Sequence, residues 1–178
     1  SRSLGTLANR GVRFVQAEVD ALGFAGKTAS TSAGTLEYDY LVIAAGAEYD
    51  WDAVPGAARA YSFYNLETAR RLRRRLAAFR KGKIVIGVSS VPYKCPPAPY
   101  EAAMVLDWDL NRRGARADVE IEVATPEPAP MPVAGPEAAA SLGRALSRRG
   151  IALRREAGVK AVAPSGREVE FSNGESTD

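Results

Sequence analysis

The chain has 178 residues, a formal net charge of +3, 46% apolar and 25% charged residues, one cysteine and no histidine. That is an ordinary soluble composition, long enough for one or two domains with a proper core. The lone cysteine excludes an intrachain disulfide or a cysteine-based zinc site, and the missing histidine removes Ser-His-Asp and Cys-His machinery. Any chemistry must rest on Cys95, on carboxylates or on a bound cofactor, and no metal site is expected. No apolar run reaches the roughly 18 residues that span a bilayer, and there is no signal-peptide core. The compartment is left unknown, with the cytoplasm or a membrane periphery favoured.

In chain order, residues 1–10 read as the last turns of a helix stopped by Gly11. Residues 12–20 alternate loosely as a strand, and Gly23, Gly26 and Gly34 punctuate a polar stretch that suits a small antiparallel hairpin or meander. Tyr38 to Ala45 carries the apolar run Leu41-Val42-Ile43-Ala44-Ala45, the pattern of a strand buried on both faces, ended by Gly46. Asp50 to Tyr61, with Pro55 and Gly56, reads as a crossing segment or linker. A helix follows from Asn65, its N-cap, to Arg80. Leu66, Ala69, Leu72, Leu76 and Phe79 form its apolar stripe, opposite an arginine-rich face that reads as solvated. With no aromatic residue among those arginines to stack on bases, nucleic acid is not an expected partner.

Gly82 ends that helix, and Ile84-Val85-Ile86-Gly87 marks a buried strand over 83–87. A helix over Tyr100–Arg113, a strand over Asp118–Ala124, a proline-rich loop and a helix over 136–149 follow. Ile151–Arg155, Val159–Ala163 and Arg167–Phe171 read as short strands, the last two forming a hairpin around Ser165-Gly166. Asn173-Gly174-Glu175 is a hairpin-type turn with no strand expected after it. From residue 83 the order β-α-β-loop-α-β-β-β is one mononucleotide-type α/β unit with a β appendage. Both ends look cut, so the chain is expected to be an internal piece of a longer protein.

The turn between strand 83–87 and the next helix is where ligands sit in a doubly wound fold. A dinucleotide loop would carry G-x-G-x-x-G there, whereas this chain has Gly87-Val88-Ser89-Ser90-Val91-Pro92. It then runs Lys94-Cys95-Pro96-Pro97-Ala98-Pro99-Tyr100-Glu101. The prolines stiffen this arm and cannot donate to a phosphate. Lys94 and the helix start both favour a thiolate at Cys95, against the alternative of a buried, inert cysteine. Glu101 complements the helix dipole, and Asp107 and Asp109 read as solvated or capping charges.

Two motifs carry a resemblance. Tyr38-Asp39-Tyr40-Leu41-Val42-Ile43-Ala44-Ala45-Gly46-Ala47 resembles the "YDYLVIATGA" strand that ends the FAD domain of the two-dinucleotide-domain flavoprotein oxidoreductases. The arm Lys94–Glu101 is similar to the "KCPPAPYE" of sulfide:quinone oxidoreductases and the "RCPPGPYE" of flavocytochrome c sulfide dehydrogenases. The resemblance implies an α/β fold: 1–52 as the trailing part of an FAD domain, and 53–178 as a truncated Rossmann-like three-layer central domain with a β meander. It implies FAD as cofactor, with Val19, Ala45 and Gly46 passing close to it, and Cys95 as the redox thiol. Sulfide or a small sulfur species would be the substrate and a quinone or another molecule the acceptor. Quinone use would bring peripheral membrane contact, and a homo-oligomer is admitted.

The glycine fingerprint of the FAD domain is absent, and Ser62-Phe63-Tyr64 stands where some relatives carry a further cysteine. The 178-residue piece alone is therefore expected neither to hold FAD tightly nor to turn over. The competing readings are an NAD(P)H-dependent flavoprotein of the same superfamily and a non-catalytic α/β binding module.

Overall fold

The computed structural model describes residues 4–177, and its contacts gather into two units, one ending at Glu48 and one beginning at Tyr49.

In the first unit the opening helix is a 3-10 helix, Leu4–Arg10, closed by Gly11 at φ 74°. The meander forms as the glycine punctuation predicts: β1 (Val19–Gly23), β2 (Thr28–Thr31) and β3 (Gly34–Glu37), antiparallel in the order β1-β2-β3. Thr31 shapes the β2–β3 turn, its hydroxyl donating to the Gly34 carbonyl (2.7 Å) and accepting from the Ala33 amide (3.1 Å). Two expectations fail. Pairing begins only at Val19, so residues 12–18 are not strand. Nor is the apolar run after Tyr38: Tyr40 is 94% and Val42 88% exposed. The pattern reports what the run could bury, but a strand also needs a neighbour for its backbone groups. After the Tyr38 amide, which donates to the Lys27 carbonyl at 3.0 Å, no strand among the described residues pairs with 39–45.

In the second unit a short 3-10 turn, Ala57–Arg59, precedes α1 (Leu66–Ala78), where Asn65 Oδ1 accepts the Thr68 amide at 2.9 Å as the predicted N-cap. The α/β unit then runs β4 (Gly82–Gly87), α2 (Ala98–Arg112), β5 (Val119–Ala124), α3 (Pro136–Ser147) and β6 (Ile151–Arg154). β4, β5 and β6 form a parallel sheet in that order, with Ile84 opposite Ile121 and Ile121 opposite Ile151. Tyr100, Ala103 and Leu110 of α2 and Leu146 of α3 bury against Ile86, Val119, Ile121, Val123 and Ile151. This is the α/β architecture that the alternation of apolar runs and amphipathic stretches predicts.

A second, antiparallel sheet follows: β7 (Val159–Val162), β8 (Val169–Phe171) and β9 (Ser176–Thr177). β9 corrects the expectation that no strand follows Asn173–Glu175. The turn is closed by backbone bonds between Phe171 and both Gly174 and Glu175, and two residues are too few to show a periodicity. Phe171 is fully buried with Ala124 and Ala157, under the Arg154 guanidinium 4.9 Å from its ring centroid.

Charge supplies the cross-links. Glu122 on β5 is 4% exposed and pairs with Lys83 of β4 (2.8 Å) and Arg154 of β6. Lys83 also reaches Thr177, and Arg154 reaches Glu175, so this cluster joins the two sheets. Burial alone would push the Glu122 carboxyl up, but the two cations outweigh it and hold the group below its ordinary value. Asp107 is another correction. It is 8% exposed, not solvated, because Arg116 folds back to meet it at 2.6 Å while also donating to the Val119, Arg149 and Gly150 carbonyls. Asp109 pairs with Arg113 at 2.8 Å and Arg112 at 3.0 Å.

Candidate functional site

The crevice outside the carboxyl ends of β4 and β5 is built by a departure from dinucleotide-loop geometry. After Gly87 the chain does not turn into a helix. The Val88 amide donates to the Ala124 carbonyl, extending the pairing with β5, and the Val88 carbonyl accepts the Val159 amide, both at 2.9 Å. The glycines serve this strand crossing. A Cβ on Gly87 would lie 2.2 Å from Val159 Cγ2, and one on Gly158 would lie 2.8 Å from the Ser89 carbonyl oxygen and 3.2 Å from Pro126 Cβ. Glycine is needed here for protein packing, not for the approach of a pyrophosphate. The chain then travels through residues 88–97 before α2 begins at Ala98.

Cys95 sits on this arm with an exposed, free thiol, not buried as the alternative reading expects. Its φ is +57°, a left-handed conformation that costs a non-glycine residue of order 1 kcal/mol or more and persists only where the surroundings enforce it. Two bonds flank it: the Cys95 carbonyl accepts the Ala98 amide at 2.9 Å as α2 starts, and the Lys94 carbonyl accepts the Tyr64 hydroxyl at 2.7 Å, while the Tyr93 hydroxyl, whose one proton goes to Glu127, lies 3.4 Å from the Pro96 carbonyl. Tyr64 belongs to an aromatic group: Phe63 stacks on it at 4.9 Å between ring centroids, and Tyr49 lies 6.2 Å away. Burial pushes the Tyr64 phenol up, and the negative charge of a Cys95 thiolate, then that of Tyr49, pushes it further. The thiol and this phenol feel each other directly.

Behind the arm lies a second group. Tyr93 donates its shorter bond, 2.8 Å, to Glu127 Oε2, and Glu127, 8% exposed, receives a longer one from Thr125 (3.4 Å). The Glu127 backbone is fixed in turn, its amide donating to Thr125 Oγ1 and its carbonyl accepting from Glu156. Burial and the hydrogen bond to Glu127 hold the Tyr93 phenol far above its ordinary value, so it stays protonated and donates. Tyr100, 1% exposed, brings its hydroxyl close to Thr125, the Met131 backbone amide and Tyr93 without reaching hydrogen-bond geometry.

The other predicted site residues lie in the first unit. Val19, 58% exposed, opens β1, Ala45 is exposed, and Gly46 has φ +79° with open space where a Cβ would stand. Glu101 lies in the first turn of α2, exposed, as expected for a charge that complements the helix dipole. Tyr64, Tyr93 and Glu127 escaped the sequence reading. Each bonds across a long separation or sits in irregular chain, where periodicity carries no signal. Among the described residues no cluster of acidic or cysteine side chains suits a metal ion, and no helix is long and apolar enough to cross a membrane.

The family model described as pyridine nucleotide-disulphide oxidoreductase matches residues 6–178. The chain is 32% identical over 132 residues to the alternative NAD(P)H-ubiquinone oxidoreductase C1 of Arabidopsis thaliana, covering 65% of this chain and 25% of that protein. To the sulfide-quinone reductase of Aquifex aeolicus it is 31% identical over 123 residues, covering 66% of this chain and 28% of the relative. The solved structure of the sulfide:quinone oxidoreductase of Aquifex aeolicus superposes with a TM-score of 0.65 at 24% identity, over 96% of this chain and 41% of that one. The chain thus spans about a quarter of the length of the curated relatives it matches.

Proposed function

The chain belongs to the pyridine nucleotide-disulphide oxidoreductase family, and from that premise we propose that it is the thiol-bearing part of a flavoprotein that oxidises sulfide or a related sulfur species through Cys95. The family is one of FAD-dependent oxidoreductases. The observation that carries the proposal is the placement of Cys95: exposed, in strained backbone, on an arm that fills the position of a dinucleotide loop.

The first unit has features that fit a flavin dinucleotide. Gly46 presents bare backbone with open space beside it, next to the small Ala45, and Val19 opens the β1 edge of the meander. These three residues would form part of the cofactor wall. When bound, the flavin supplies the two-electron acceptor that serves a quinone or another terminal acceptor.

The work of this chain's own residues follows from thiol chemistry. With a persulfide-level substrate, the Cys95 thiolate attacks the outer sulfur; a new S–S bond forms, the old one breaks, and the leaving thiolate departs with the electron pair, a transfer with no net oxidation. Sulfide itself would join an S–S bond at Cys95 only with the two-electron oxidation that a bound flavin would supply. Lys94, adjacent in the chain, supplies positive charge for the anions on both sides of that exchange. Tyr64 holds the Lys94 carbonyl and Tyr93 ties the arm to Glu127, so the nucleophile meets its partner without first ordering the arm.

NAD(P)H oxidation is the second reading, favoured by the likeness to the Arabidopsis thaliana NAD(P)H-ubiquinone oxidoreductase. The crevice argues against it, since Gly87 and Gly158 are spent on strand contacts. In the whole, flavin-loaded protein under anaerobic conditions, sulfide is expected to bleach the flavin absorbance. Cys95→Ser should abolish this; bleaching at the wild-type rate in Cys95→Ser would remove Cys95 from the electron path.

A further inference from the structure

We infer that Tyr93 and Glu127 form a latch that holds the Cys95 arm across the carboxyl ends of β4 and β5, acting with Tyr64 as positioning residues for the thiol. The inference rests on the reading of Cys95 as the reactive sulfur.

The geometry carries it from three directions. First, Cys95 occupies left-handed backbone that a non-glycine residue leaves unless held, and the Lys94 carbonyl beside it is held by the Tyr64 phenol. Second, Tyr93, two residues before Cys95 on the same arm, donates its one hydroxyl proton to a carboxyl fixed to the scaffold through Thr125 and Glu156. Third, Glu127 is buried with no lysine or arginine paired to it among the described residues, which sets it apart from the buried Glu122 and Asp107. Its side-chain bonds come from Tyr93 and Thr125 only. A buried carboxyl served by hydroxyls alone adds little net stability, so its worth lies in what it orients.

The latch also bears on ligand choice: Glu127, just beyond the end of β5, is engaged by the arm and is not free to take a ligand hydroxyl.

Amide hydrogen exchange of the 178-residue chain tests the latch without any flavin. Tyr93→Phe removes one hydroxyl, and Glu127→Ala removes the acceptor. Either is expected to speed exchange of the segment 94–101, which holds the Ala98 amide bonded to Cys95, at least tenfold. Glu127→Gln keeps an acceptor oxygen and should stay within threefold of wild type. Unchanged exchange in Tyr93→Phe and Glu127→Ala overturns the latch, as does a Gln variant as loose as the Ala variant.

The positioning role has its own readout in the flavin-loaded whole protein. Tyr93→Phe should lower the limiting rate of flavin reduction by sulfide at least tenfold, with half-saturating sulfide unchanged within twofold. A loosened arm with an unaltered limiting rate overturns the positioning role. Undiminished reduction in Cys95→Ser instead sinks the thiol reading, while the exchange result stands by itself.

Discussion

The flank of β5 and the crevice at its carboxyl end each bury a glutamate, and the two are satisfied by opposite chemistry. Glu122 meets two cations, Lys83 and Arg154, which reach on to Thr177 and Glu175 and so bind one sheet to the other. Glu127 meets a phenol and a hydroxyl, and the phenol belongs to the arm that carries the thiol. Removing a partner from a buried ion pair leaves a charge stranded, whereas removing one hydroxyl donor from a carboxyl that keeps another costs less. The first region is therefore expected to govern stability and the second to govern the position of Cys95.

Substitutions can break that contrast, the largest effect coming first. Glu122→Ala strands Lys83 and Arg154 and should cost about 3 kcal/mol in chemical denaturation, the low end for buried pairs because those side chains are 23% and 27% exposed. Gly158→Ala places a Cβ 2.8 Å from the Ser89 carbonyl beneath the arm and should cost about 1–3 kcal/mol by overpacking. Tyr93→Phe should cost about 1 kcal/mol, so a loss as large as that of Glu122→Ala would erase the distinction. Lys160→Ala, which removes a pair whose side chains are 61% and 46% exposed, should stay within about 0.5 kcal/mol.

Acid sharpens the same contrast. The Glu122 carboxyl is depressed in the folded state, so its contribution is complete above the ordinary value of 4.5 and is lost as pH falls through the lower folded value. Denaturation midpoints should drop below about pH 4.5 in the wild type, with a shallower drop in Glu122→Gln.

The sequence made the α/β unit legible because its signals are local. The Asn65 cap, the apolar run ending at Gly87 and the glycine-punctuated meander each specify a few neighbouring residues, and each forms as expected. What was not legible depends on partners. The run after Tyr38 has the composition of a buried strand and no strand beside it among the described residues, so it lies exposed. Cys95 stood out by its motif, yet the residues that hold it did not, because Tyr64–Lys94 and Tyr93–Glu127 are contacts over 30 and 34 positions. The burial of Asp107 was hidden likewise, resting on Arg116 beyond the end of α2.

The central claim is that thiol chemistry, not a nicotinamide dinucleotide, occupies the crevice beyond β4. The most direct measurement is a pair of anaerobic titrations of the whole flavin-loaded protein, one with sulfide and one with NADH, each followed by flavin absorbance and repeated in Cys95→Ser. The account predicts bleaching by sulfide, none by NADH, and loss of the sulfide response in the variant. Bleaching by NADH that survives Cys95→Ser, with no response to sulfide, would contradict it.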